Sequence, residues 1–90
     1  MVDDETMKLG IVFQLPPKMG DLLGLLLAMP TVTNKMIRQR VTPKPKAAIF
    51  RLRQLLPGVE IHSRRYVGYW IEDKDKARIR AAVTAKMENV

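Results

Sequence analysis

Ninety residues, 47% apolar and 28% charged, bound the chain to one ordinary globular domain. The absence of cysteine excludes disulfides and thiolate zinc sites and fits the cytoplasm better than a secreted setting. A net charge of +7 with a pI near 10.2 directs attention to a polyanionic partner.

Residues 1–7, with Asp3, Asp4 and Glu5, predict a flexible tail and lack the basic-then-apolar order of a secretion signal. Lys8 to Leu15, rich in β-branched and aromatic residues, predicts a short strand that Pro16-Pro17 stops. From about Lys18 to Ala28, Met19, Leu22, Leu23 and Leu26 recur at helical spacing, and Leu25 and Leu27 widen the stripe into a helix buried on most sides. The longest apolar patch, Leu22 to Met29, is far shorter than the ~20 residues that span a bilayer.

Thr31-Val32-Thr33 predicts a short extended piece, with Thr33 capping a second helix from Asn34 to about Val41. Met36, Ile37 and Val41 form its apolar side, which leaves Lys35, Arg38 and Arg40 for solvent or phosphate. Thr42-Pro43-Lys44-Pro45 is a stiff connection to a third helix, Pro45 or Lys46 to Leu56, ended by Pro57-Gly58. Val59 to Ile71 predicts two alternating strands with a turn near Arg64–Tyr66, and Trp70 and Tyr69 are expected to pack them on the core. Asp73 or Asp75 opens a last helix through about Met87, where acids suit the helix dipole. The domain is therefore expected over residues 8–72, followed by a helical segment over 73–90.

Charge is unevenly spread. Residues 31–71 hold nine basic side chains against Glu60 alone. On a helical wheel of the third helix, Ala48, Ile49, Leu52, Leu55 and Leu56 share the core side. Lys46, Ala47, Phe50, Arg51, Arg53 and Gln54 fall on the other. Arginine can bond the guanine edge with two donors, glutamine can match adenine, and alanine admits a close approach. The Phe50 side chain is left open between an outward contact and the neighbouring apolar layer. At the hairpin turn, Ser63-Arg64-Arg65-Tyr66 places two more arginines where a ribbon can reach phosphate and the minor groove. Lys44 extends the same basic surface.

Three segments carry a family resemblance. Leu22-Leu23-x-Leu25-Leu26-Leu27 is followed by Pro30, Val32 and Thr33; Ile49-Phe50-Arg51-Leu52-Arg53 lies in the third helix; and Val59-Glu60-Ile61 precedes Arg65-Tyr66-Val67-Gly68-Tyr69. From Leu15 to Ile71 the chain resembles the OmpR/PhoB-type winged helix-turn-helix DNA-binding domain. The resemblance implies an α+β fold with a three-helix core and a β-hairpin wing, here with a C-terminal helix added. It further implies that Arg51 reaches bases, Ala47 lies against the major-groove edge, and Arg53 supports or contacts the backbone. Ser63 then touches phosphate and Arg65 enters the minor groove. The chain also departs from the family. There is no room for a phosphorylated receiver domain, and the loop between second and third helices is cut to about four residues. The N-terminal sheet is reduced to one candidate strand. Ala48 stands where a polar phosphate contact is common, Tyr66 replaces the first wing glycine, and Trp70 replaces the usual arginine. Repression or architectural binding is thereby favoured over polymerase activation.

The expected function is sequence-preferring binding of double-stranded DNA by a bacterial or phage transcription regulator in the cytoplasm, at the nucleoid. No catalysis, metal or cofactor is expected: His62 has no second histidine or cysteine to work with, and the glycines form no phosphate cradle. Ile79, Val83 and Met87 form either a homodimer seam or a clasp over the chain's own first helix. The alternative is a protein-interaction adaptor of the same fold that binds RNA polymerase or another regulator. Phe50, the short loop and the C-terminal helix are the features that favour it.

Overall fold

The most apolar segment of the chain lies at the centre of the fold. In the computed structural model, which describes residues 4–88, helix α2 (Pro17–Ala28) buries Met19, Gly20, Leu22, Leu23, Leu26 and Leu27. Pro17 sits in the first helical turn, where its missing N–H is no loss. The described residues form an α+β fold of five helices and one two-stranded antiparallel hairpin: α1 (Asp4–Val12), α2, α3 (Asn34–Arg40), α4 (Pro45–Leu55), β1 (Ile61–Arg64), β2 (Gly68–Ile71) and α5 (Asp73–Glu88). No helix among them is long and apolar enough to cross a membrane.

The first element corrects the sequence reading. Lys8–Leu15 is no strand: α1 occupies Asp4–Val12, so residues 4–7, expected in the tail, are helical. Met1–Asp3 lie outside the described residues. The end of α1 explains the misreading. Gln14 adopts φ 54°, the Gln14 N–H bonds Ile11 O at 3.4 Å, and the Leu15 N–H bonds Gly10 O at 2.9 Å. This is the Schellman pattern, in which a left-handed residue closes the last turn, and glycine or asparagine is its usual signal. With glutamine in that place the stop is invisible in sequence. Packing then decides: Leu9 is fully buried and Phe13, four residues on, is packed against the core, on the face turned toward α2 and α5.

The remaining helices follow their signals. Thr33 caps α3 by accepting a bond from Met36 N at 3.2 Å, and Pro45 opens α4. Ala48, Ile49 and Leu52 seat α4 against α2, and α3, which buries Ile37, packs against α4. In α5, Asp73 and Asp75 occupy the first turn and Asp75 pairs with Arg78 at 3.2 Å. Ile79 is 3% exposed and belongs to the core, and Val83 packs against it; both serve the chain's own interior. The Met87 side chain lies outside the described residues. Lys76 Nζ donates to Met29 O at 3.1 Å and an Arg80 guanidinium nitrogen to Leu27 O at 3.1 Å. Two cations thus answer carbonyls at and just beyond the C-terminus of α2, where positive charge is favoured.

Candidate functional site

The hairpin is fixed to the helices at two points. Ile61, His62, Ser63 and Arg64 of β1 pair with Ile71, Trp70, Tyr69 and Gly68 of β2. Val32, in the predicted extended piece between α2 and α3, adds an antiparallel bridge to Tyr69: Val32 N–H bonds Tyr69 O at 2.8 Å and Tyr69 N–H bonds Val32 O at 2.7 Å. Gly68 makes this approach possible. Its φ is +126°, and an added Cβ would stand 2.4 Å from Val32 O.

Arg53 supplies the second point. Its Nε and Nη2 donate to Ile61 O at 3.2 and 2.6 Å, and Nη2 also reaches Ser63 Oγ at 3.4 Å. The guanidinium therefore ties the last turn of α4 to β1. Ser63 Oγ is likewise engaged.

The strands are shorter than predicted. Val59 lies before β1, half-buried against the core, and Val67 stands in the turn, exposed. The turn runs from Arg64 to Gly68 and is closed by Val67 N–H to Arg64 O at 3.0 Å. Behind it Tyr69 packs on the core as expected, whereas Trp70 stacks on His62 with ring centroids 5.5 Å apart. His62 Nε2 is buried without a hydrogen bond, 3.7 Å from Glu72 Oε1 and 3.9 Å from Glu60 Oε2.

Between α4 and the hairpin lies a groove of about 830 Å³. Five cations line it: Lys35 from α3, Lys46 and Arg53 from α4, and Arg64 and Arg65 from the hairpin tip. No acid does. Lys46, Phe50 and Arg53 recur at i, i+4 and i+7, so one stripe of α4 faces the groove. Ala47, Arg51 and Gln54 form the next stripe, exposed and outside the groove lining. Lys44 precedes α4, and Arg38 and Arg40 of α3 are exposed; none of the three lines the groove.

Phe50, left open by the sequence, is 64% exposed: burial of Ile49 and Leu52 sets the rotation of α4 and turns Phe50 outward. Leu55, assigned to the core side, is 36% exposed. At the end of α4 the chain turns away through Leu56, which takes the core position, and Leu55 borders a second, apolar hollow with Phe13, Val59, Ile79 and Ala82. Sequence reasoning missed this hollow and the Arg53 tie. The i to i+8 step from Arg53 to Ile61 crosses a loop whose path no local signal sets. Among the described residues, no group of His, Asp and Glu could hold a metal ion.

No protein-family model matches the chain, and neither a curated protein nor a solved structure matches it.

Proposed function

We propose that this protein is a winged helix-turn-helix binder of double-stranded DNA, with α4 as the major-groove helix and the β1–β2 hairpin as the wing. The observation that carries the reading is the groove lined, among the described residues, by five cations and no acid, with one rim a helix and the other a ribbon tip. A phosphate strand separates the major from the minor groove of a duplex. Laid across this groove, it meets Lys35, Lys46 and Arg64, while Arg51, Gln54 and Ala47 face base edges and Arg65 faces the minor groove. Arg53 then acts by holding the wing against α4, and Arg38, Arg40 and Lys44 add backbone attraction at the periphery. The resemblance to the OmpR/PhoB-type domain supports the same assignment, and the role it suggests is that of a transcription regulator at bacterial or phage DNA.

Selection from a random duplex library at fixed salt tests this. Binding should weaken steeply with salt, with a log–log slope of about −0.9 per phosphate neutralised. Arg51→Ala should relax base preference, and Lys46→Ala should reduce the salt slope by about 1. A palindromic site would reveal a homodimer through its half-site spacing. Failure to bind any duplex at about 0.1 M salt refutes the proposal. The adaptor reading has its own support in exposed Phe50 and in the apolar hollow beside Leu55. A stoichiometric protein partner, such as RNA polymerase or another regulator, with no DNA binding would establish it.

A further inference from the structure

Tyr66 is placed where folding alone would not put it. It is 94% exposed, so its ring contributes nothing to the core. Its backbone has φ +67°, in the left-handed region that a bulky aromatic residue rarely adopts. The turn it occupies, closed from Val67 N–H to Arg64 O, has its positive φ at the third residue, the position where glycine or asparagine relieves the strain. A strained residue at the tip of a binding element points to a use outside the fold. The Arg65 guanidinium carbon lies over the ring, 5.2 Å from its centroid.

We infer that Tyr66 is a positioning residue for Arg65: its ring holds the guanidinium extended at the wing tip, in readiness for a narrow, A·T-rich minor groove. This rests on the duplex-binding reading above. A free arginine side chain loses much rotamer freedom when it is immobilised, and a ring that already restrains it removes part of that loss from the binding step. The minor groove of A·T tracts is narrow and carries an enhanced negative potential, so an arginine presented there discriminates A·T from G·C flanks. The aromatic face attracts the cation without satisfying its N–H donors, which stay available to base-edge acceptors. Arg51, Gln54 and Ala47 of α4 meet the major groove in that reading, so the preference assigned here is for the flank and not for the central bases.

The test measures anisotropy titrations of the full chain on one selected site carrying either A·T or G·C flanks, at one salt concentration. The wild-type chain should prefer the A·T flank, and Tyr66→Phe, which keeps the ring, should retain that preference. Tyr66→Asn should reduce it about two- to fivefold, the range for an exposed cation–π contact. Its melting temperature should be equal or higher, because asparagine tolerates the left-handed turn. Arg65→Ala should remove the preference, and adding Tyr66→Asn to it should change nothing more. The inference is overturned if the wild type ignores the flank, or if Tyr66→Asn keeps the full preference. It is equally overturned if that variant melts lower, since the ring would then serve the fold, or if its effect persists without Arg65. Absence of all duplex binding would overturn the DNA reading as well; duplex binding with no dependence on Tyr66 overturns this inference alone.

Discussion

Substitution of Gly68 by alanine probes whether the wing is anchored through Val32. A Cβ at Gly68 would lie 2.4 Å from Val32 O, 3.0 Å from Val32 C and 3.2 Å from Thr31 Cγ2. Val32 is wholly buried, so it cannot retreat without disturbing the core. Relief of the clash requires the strand ends to part, which breaks the two backbone bonds between Val32 and Tyr69. Each such bond contributes about 0.5–1.5 kcal/mol net. Alanine at φ +126° adds about 1–3 kcal/mol of backbone strain. The total, about 2–6 kcal/mol, is a large share of the roughly 5–15 kcal/mol that holds a small domain together. For a domain of this size, at about 4–8 °C per kcal/mol, it corresponds to a fall of roughly 10–45 °C in melting temperature. Thermal unfolding followed by circular dichroism measures it. Gly58→Ala is the control, because nothing lies within 4 Å of its Cβ and its backbone is not left-handed. A Gly68→Ala chain that melts within about 5 °C of wild type would refute the anchoring.

Arg53→Ala should cost about 1.5–3 kcal/mol in urea unfolding, since it removes charged hydrogen bonds to Ile61 O and Ser63 Oγ; Arg51→Ala should stay within about 0.5 kcal/mol of wild type. Equal stability of the two variants would argue against the α4–β1 tie. Phe50→Ala should likewise leave stability nearly unchanged, because the ring is exposed. Ile79→Ala should destabilise by about 2–4 kcal/mol by opening a cavity beneath α5. A change in oligomeric state by sedimentation, with stability intact, would instead assign Ile79 to a subunit seam.

Much of the fold is legible in the sequence. Helices α2, α3 and α4 stand close to their predicted limits, because each combines an apolar stripe with a proline, threonine or Pro-Gly boundary whose chemistry is local. The hairpin register follows from burial of Ile61 and Ile71, which must share the inner face. The first element was not legible. β-branched residues in Lys8–Leu15 favoured a strand, and packing of Leu9 and Phe13 against α2 and α5 overrode that weak preference.

For the candidate site, the sequence by itself determined the supply of charge: nine cations within residues 31–71, with Lys46, Phe50 and Arg53 in helical step and Arg64 and Arg65 in a turn. Only the tertiary structure decided which of them share a groove. Lys35, Lys46, Arg53, Arg64 and Arg65 line it, while Arg38, Arg40 and Lys44 do not. It also drew Arg53 into holding the hairpin and turned Phe50 outward. Periodicity along one helix tells which side faces the core, but not what stands across from the exposed side. That is set by long-range contacts, here the Val32–Tyr69 bridge and the Arg53–Ile61 bond, which join segments that no local pattern relates.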